Sequence, residues 1–566
     1  MIGLVAATRN GRRHAAHLAR AWPDARYYDG GKPREALCRA WAECDRIVIF
    51  LATGAAVRII SPLLVDKRHD PGIVSVDDAA RFAVALAGGH AGGANELAER
   101  VARALSATPV VTTASEALGV PALDSFGEKL GFTIEEGSDL AGVGAALVSG
   151  DTVRLVSDRR WPVGPLPENV MLAGPVEEAR TPSVEISDRL AVAPGPGRVV
   201  YRPPSLVLGV GCSRGAGAEE ILALIAAALR DAGLSERSVA ALASIDVKRD
   251  EAGLLDAADA LGVPARFFSA AQLSPVEVPN PSPVVAGAVG TPSVAEAAVL
   301  VSGAELLVEK RKSENATVAV GRLPVRGRLA LVSLGPGSDA LLTPLAREAL
   351  AGAELVVGLD QYVETVSHLL RPGTRVLALP LGDEVLRAEK ALAEARAGGS
   401  VALMSGGDVG VYAMASPALE LAGEDVDVVV VPGVSAAHAA SSLLGSPLGH
   451  DHCSVSLSDL LTPWEVIENR VRAAAWGDFV VSLYNARSKG RDWQLGKTRD
   501  LLLEHRPPDL PVGIVKNAYR EGQDVSLTDL GSLRPEDVDM LTIVVVGNSQ
   551  TKVVAGRMVT PRGYLG

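Results

Sequence analysis

The chain has 566 residues and a formal charge of −12, from 55 Lys+Arg against 67 Asp+Glu; at roughly 100–200 residues per domain it holds about three to five domains. Apolar residues at 48% and charged residues at 22% exclude a disordered or collagen-like chain. The acidic balance, with only 4% aromatics, argues against a nucleic-acid substrate, whose phosphates repel such a chain and whose bases need stacking partners.

Four scattered cysteines (Cys38, Cys44, Cys212, Cys453) form no CxxC pair. A disulfide framework and a structural zinc site are therefore not expected, and no metal is assigned. The first residues, MIGLVAATRNGRRHAAHLARAW, carry their charges after the short apolar run, the reverse of a secretory signal. No apolar stretch reaches the roughly 20 residues that span a bilayer. A reducing cytoplasm with no membrane partner is the expected setting.

In chain order, short β-branched runs alternate with Ala/Leu/Arg/Glu-rich stretches, which predicts parallel α/β architecture. The runs are IVIFLAT (47–53), VVTTA (110–114), LVLGVGC (206–212), LALVSLG (329–335), VALMSGG (401–407), FVVSLYN (479–485) and LTIVVVG (541–547). Strands so continuously apolar are buried on both faces, and ligands gather at their carboxyl ends. Residues 1–133 read as one α/β block. Residues 134–204 change character, with WPVGPLPENV, APGPG and RPP separating short strand-like pieces. Residues 205–322 return to α/β, with an amphipathic helix at EEILALIAAALRDAGL (219–234). LPVRG (323–327) leads into a last block, 327–566, which a break near Pro432 divides into two lobes at about 327–432 and 433–566.

In the first block GGHAGGANELAE (88–99) is a glycine turn entering a helix. It sets His90, Asn95 and Glu96 near free N–H groups that favour anions. Lys67, Arg68, His69 and Asp70 follow an apolar helix as a polar knot suited to binding carboxylates. Cys212 ends a strand in GVGCSRG, where either a nucleophile or plain packing would fit. Asp246 and Lys248 in SIDVKRD are stronger site candidates than that thiol.

In the last block LVSLGPGSDALLTPLAREAL (331–350) is strand, glycine turn and helix. It is neither a Walker A loop nor a full dinucleotide fingerprint. MSGGDVGVYAMAS (404–416) carries Asp408 among glycines, a carboxylate suited to accept from ribose hydroxyls or an amino group rather than to hold phosphate; a solvated turn Asp is the plainer alternative. Arg487, Lys489 and Arg491 in NARSKGR, with Arg520, could pair with substrate carboxylates, as guanidinium forks do, or simply form a solvated face. His450, Asp451 and His452 in GHDHC could supply a general base or merely begin a strand.

GPGSDALLT, SGGDVGVY and VVVPGVSAAHAAS (429–441), in that order, resemble the tetrapyrrole methylases that use S-adenosyl-L-methionine. PLGHDHCSVSLSDLLTPWEVIENR, VVSLYNARSKGR, PVGIVKNAYREGQDVSLTDL and TIVVVGNSQTKVVAGRMVTPRGY narrow the resemblance, over 327–566, to precorrin-3B C17-methyltransferases. The resemblance implies a two-lobed fold with the cofactor between the lobes. Gly406, Gly407, Asp408 and Val411 would hold its methionine part and ribose, and Ser435 and Ala436 would line the cleft. Tyr484, Asn485, Ala518 and Thr542 would approach from the second lobe. Gly335, Pro336 and Gly337 would form part of the tetrapyrrole trough. A homodimer is also implied. One departure stands out: the family usually has Pro after that Asp, where this chain has Val409, which predicts a less rigid loop.

ATGAAVRIISPLLVDKRHDPGIVSVDDAARFAVALAGGHAGGANELAERVA (52–102) and TPVVTTASEALGVPALD (108–124) resemble the cobalamin-biosynthesis proteins that hydrolyse cobalt-precorrin-5A. GVGCSRGAGAEEI, ALASIDVKRDEAGLLDAA, FFSAAQL and EKRKSENATVAVGR extend the resemblance through 205–322. It implies lactone opening with loss of a two-carbon aldehyde, work suited to His90 and Glu96, with Lys67, Arg68, Asp246 and Lys248 on the substrate. The expected whole is a bifunctional enzyme of corrin synthesis, acting on a tetrapyrrole that the first half implies to contain cobalt. The alternatives are a methylase fused to a non-catalytic tetrapyrrole-binding half, and a related methylase acting on ribosomal RNA or diphthine.

Overall fold

A computed structural model describes residues 1–30, 32–66, 69–89, 92–112, 120–173, 181–488 and 490–564. The expected sites Lys67, Arg68, His90 and Lys489 lie outside the described residues. The chain forms two compact units, one of Met1–Asp158 with Leu166–Pro324, the other of Arg159–Pro165 with Val325–Gly566.

The first unit carries three sheets. In the first, six strands run in the order Ala25–Tyr27, Ile2–Ala6, Arg46–Phe50, Gly72–Val76, Phe82–Ala87, Thr108–Val110. The first four are mutually parallel. Their side chains alternate between two cores: Ile47 and Ile49 pack on one face, Val48 and Phe50 on the other. Phe82–Ala87 instead pairs antiparallel with Gly72–Val76, so the chain after it returns to the amino ends of the parallel strands.

Residues 134–204, expected as scattered pieces, contribute to a second sheet in the order Thr133–Ile134, Arg198–Arg202, Ser183–Ile186, Val153–Ser157, Val170–Ala173. Its members are two to five residues long and separated by proline-rich turns, so no single run announces it. The third sheet runs Ala265–Phe268, Val239–Ile245, Leu206–Cys212, Ala316–Arg322, Glu305–Lys312. The helix Val294–Val301 lies so close to it that a Cβ on Gly209 would stand 1.9 Å from the Ala295 carbonyl oxygen, which is why that strand carries glycine. Among the described residues no single helix is long and apolar enough to cross a membrane.

The second unit has two lobes. In the first, five parallel strands run Arg375–Leu379, Leu355–Leu359, Ser400–Ser405, Gly327–Ser333, Val426–Val431. Leu329 and Leu331 pack against the helix Glu384–Arg396 on one face, and Ala330 and Val332 against Pro344–Ala351 on the other. Three strands end side by side in glycine-bearing loops. The second lobe has a five-stranded sheet, His452–Ser456, Val480–Tyr484, Thr542–Val546, Pro511–Lys516, Asp524–Asp529, antiparallel except for its first pair. A three-stranded sheet of Gly445–Ser446, Arg557–Val559 and Lys552–Val554 lies beside it in sequence and topology.

Candidate functional site

At the carboxyl edge of the first lobe three loops lock together, two through their backbones and the third through a side-chain carboxylate. Gly335 and Gly407 exchange N–H···O bonds of 3.0 and 2.7 Å. Both have φ +69°, a conformation glycine adopts without strain. Asp408 does not present a free carboxylate: its oxygens accept from the N–H groups of Gly410 (2.9 Å) and Gly433 (3.0 Å), tying the second loop to the third. The expectation of a loosened loop at Val409 is corrected. Proline has no N–H, whereas the Val409 N–H donates to the buried Ser333 hydroxyl at 2.8 Å, and Val409 itself is fully buried.

Gly407 also lies against the start of the helix Ala436–Leu444: a Cβ there would stand in van der Waals contact with the Ala436 nitrogen, at 3.8 Å. Ser435 caps that helix through its hydroxyl and lies 2.7 Å from His438 Nδ1. From the second lobe, the Tyr484 hydroxyl accepts the Ala437 N–H at 3.0 Å. The Tyr484 ring lies 5.1 Å from that of Tyr412, which adjoins Val411 and donates to the Ser454 carbonyl. Tyr412, Asn485, Asn517 and Tyr519 are four of the eight described non-glycine residues with positive φ. They include or flank the expected cofactor residues Val411, Asn485 and Ala518. Such conformations cost of order 1–3 kcal/mol each and persist where surrounding structure enforces them, which is common at ligand sites. Thr542 is 6% exposed and its hydroxyl is committed to Asp539 at 2.7 Å. Asp539 also pairs with Lys516, so that side chain braces the lobe instead of reaching a ligand.

One expected substrate cation, Arg491, turns out to be a brace. Arg491 is 6% exposed and donates to the Asn485 carbonyl and the Ser458 hydroxyl; Arg487 donates to the Pro535 carbonyl at 2.8 Å. The Arg491 guanidinium, taken out of water, needs such partners and has little left for a substrate carboxylate, whereas the half-buried Arg487 spends one N–H group this way. Arg520 differs. Its Nε donates to the Pro336 carbonyl, with room only because Gly337, at φ +130°, has no Cβ. It lines a small pocket with Gly335, Gly337, Asp339, Tyr362 and Thr365. Sequence reasoning missed Asp339, Tyr362 and Ser333; Asp339 follows the first glycine loop directly and was the most findable.

The triplet before the second lobe divides. His450 and Asp451 pair with each other at 3.3 Å on the surface. His452 begins an edge strand, its ring edge-on to His438 at 6.3 Å, so it approaches the Ser435 helix.

In the first unit, Glu96 stands at the amino edge of the sheet, not at the carboxyl edge where ligands gather. It pairs at 3.3 Å with Arg46, which begins a strand and fits because Gly93 lacks a Cβ. His69 pairs with Asp66, and Asp70 accepts the Val65 N–H. The carboxyl edge carries a cluster sequence reasoning passed over. The Thr8 hydroxyl and the Asn10 amide donate to Asp78, whose carboxyl those bonds hold below its ordinary value. In the third sheet Cys212, Asp246 and Lys248 do share a carboxyl edge. Lys248 pairs with Glu251 at 3.2 Å, and Glu251 also accepts the Gly215 N–H. Burial pushes the Cys212 thiol up despite Lys248, which disfavours a thiolate nucleophile. Among the described residues no group of three His, Cys, Asp or Glu is placed to hold a metal ion.

A parallel lobe with interlocked glycine loops at its carboxyl edge, facing a mixed second lobe, defines a methyltransferase domain, here joined to a multidomain α/β half. Residues 328–534 match the Tetrapyrrole (Corrin/Porphyrin) Methylases. Residues 35–116, 121–203 and 206–321 match the cobalamin synthesis G N-terminal, cobalamin biosynthesis central and cobalamin synthesis G C-terminus families. The chain belongs to the tetrapyrrole methylase family, fused to cobalamin synthesis G domains. It is 47% identical over 242 residues to a protein of Salmonella typhimurium named probable cobalt-factor III C(17)-methyltransferase, covering 42% of this chain and 99% of that one. It is 43% identical over 247 residues to the cobalt-factor III methyltransferase of Priestia megaterium, covering 42% of this chain but only 46% of that one. The crystal structure of the methyltransferase CobJ is 38% identical with a TM-score of 0.40, covering 42% of this chain and all of that one.

Proposed function

We propose that the second unit transfers a methyl group from S-adenosyl-L-methionine to C17 of precorrin-3B or cobalt-factor III, with ring contraction to the precorrin-4 level. The observation that supports this most is the interlock of loops 335–337, 406–408 and 433–435, in a domain 47% identical to the Salmonella protein over nearly all of that protein's length. The close approach of Gly407 to the start of the helix capped by Ser435 gathers main-chain groups of two loops, which suits a cofactor held largely by the backbone.

The cofactor supplies an electrophilic methyl group on a sulfonium. The chain's residues hold the partners aligned and exclude water. Arg520, at the first glycine loop, offers its remaining N–H groups to substrate carboxylates. The reading includes a homodimer in the cytoplasm. It is tested by incubating the intact chain with S-adenosyl-L-methionine and either metal-free precorrin-3B or cobalt-factor III, then analysing product mass. Gain of one methyl group with the ring-contracted spectrum is expected. No methylated product from either substrate refutes it.

For the first unit we infer opening of the cobalt-precorrin-5A lactone with release of acetaldehyde. A tetrapyrrole-binding half without that activity is the second reading. It is favoured by the mutual neutralisation of Lys248 and Glu251 and by the engagement of Glu96 with Arg46. Acetaldehyde release from authentic substrate by the intact chain separates the two.

A further inference from the structure

The small pocket at the first glycine loop is lined by a carboxylate whose imidazole partner stands beside the pocket and belongs to neither the loop motifs nor the cofactor residues. Asp339 follows the Gly335–Gly337 turn and lines the pocket; its carboxylate lies 2.6 Å from Nε2 of His368, which arrives from a turn 29 residues later. Both are about half exposed, so they are open to a bound molecule as well as to each other. Arg347 donates to the Asp339 main-chain carbonyl and helps fix that turn.

The pocket adjoins the methyl-donor loop. Tyr362 lines it beneath the Arg520 guanidinium, and the same ring lies against Gly406, where a Cβ would stand 2.7 Å from Tyr362 Cζ. The Gly335–Gly407 bridge joins the two loops directly. A carboxylate that orients an imidazole and stabilises its charged form is the usual construction of a side-chain acid–base pair.

Methyl transfer from a sulfonium moves the C–S electron pair onto sulfur and forms a new C–C bond. The macrocycle thereby gains one positive charge, and loss of one proton restores its balance. We propose that Asp339 and His368 form the acid–base pair that takes up this proton: the imidazole accepts it, the carboxylate steadies the imidazolium, and water later receives it. The proposal rests on the methyltransferase reading above.

The test uses the full chain with His368→Ala, His368→Gln and Asp339→Asn, measured with S-adenosyl-L-methionine and the corrinoid substrate. We expect kcat to fall about 100-fold in both His368 variants and about tenfold in Asp339→Asn, with KM changed by less than about threefold. Affinity for S-adenosylhomocysteine, read by calorimetry, should stay within about twofold. Added imidazole should restore activity to His368→Ala but not to Asp339→Asn. A His368→Ala kcat within about threefold of the parent overturns the pair. A loss that imidazole does not restore, or one tracked by lost cofactor affinity or melting temperature, overturns it equally. Failure of the parent chain to methylate either substrate is a separate outcome and overturns the underlying reading.

Discussion

Replacing Ser333 with alanine tests how the second glycine loop is held. Ser333 and Val409 are fully buried, and the Val409 N–H has the Ser333 hydroxyl as its acceptor at 2.8 Å. Without that hydroxyl a buried donor is left unpaired, at a cost of about 1–3 kcal/mol. Because Val409 follows Asp408, whose carboxylate ties the loop to Gly433, the cost falls on the conformation of the proposed cofactor loop. If it is felt wholly there, affinity for S-adenosylhomocysteine drops roughly 5- to 150-fold. If it is felt globally, the melting temperature falls instead; calorimetry and a thermal melt together read both. A second substitution sharpens the test. Val409→Pro in the Ser333→Ala background removes the orphaned donor, so the double variant should lose less than the two single losses added. Unchanged affinity and melting temperature in Ser333→Ala would refute the reasoning.

Other expectations follow from buried polar groups and from the edge cations. Glu296 is fully buried; burial pushes its carboxyl up, but the N–H groups of Lys310 and Asn280 and the Asn280 amide outweigh this and hold it below its ordinary 4.5. A lowered folded value stabilises above the unfolded one, so chemical denaturation should show this support present at neutral pH and draining as pH falls below about 4.5, with Glu296→Gln flattening the slope. Arg506, 5% exposed, donates to the carbonyls of Gly547, Ala474 and Phe479; Arg506→Met should cost at least about 3 kcal/mol in urea melts, with no comparable loss expected for an exposed arginine. Arg491→Ala should lower the melting temperature while leaving the salt dependence of substrate binding unchanged, whereas Arg520→Ala should reduce that dependence. Equal salt slopes for the two variants would contradict the division drawn between them.

The sequence makes the strands legible because burial on both faces leaves them continuously apolar: Leu206–Cys212, Gly327–Ser333 and Thr542–Val546 coincide with such runs within two residues. The glycine loops are legible for a related reason, since Gly335, Gly337 and Gly407 sit at φ values closed to most side chains. What escapes is long-range pairing. Nothing local in FAVALA tells that it runs antiparallel to its neighbour, yet that reversal carries residues 92–96 to the amino edge and away from Thr8, Asn10 and Asp78. His368 sits in an unremarked turn and gains meaning only from Asp339. Charge alone likewise cannot separate Arg520, which lines a pocket, from Arg491, whose partners are its own lobe's carbonyl and hydroxyl groups.

The division of the chain into units is not a single cut. Residues Arg159–Pro165 belong to the second unit although the flanking segments belong to the first, so the polypeptide passes between units three times. Arg160, in that short strap, bonds Glu354 and Glu394 at 2.7 Å each. A protease acting only at 324–325 would therefore not release two independent units: the strap would remain covalently part of one product while seated on the other. Two genes made by splitting the sequence at that point would encode a methylase short of one guanidinium. Its largely buried Glu354 would lose that counter-charge, while Glu394 would still have Arg375. A graft of the missing heptapeptide, not a longer terminus, is what such a split enzyme would need.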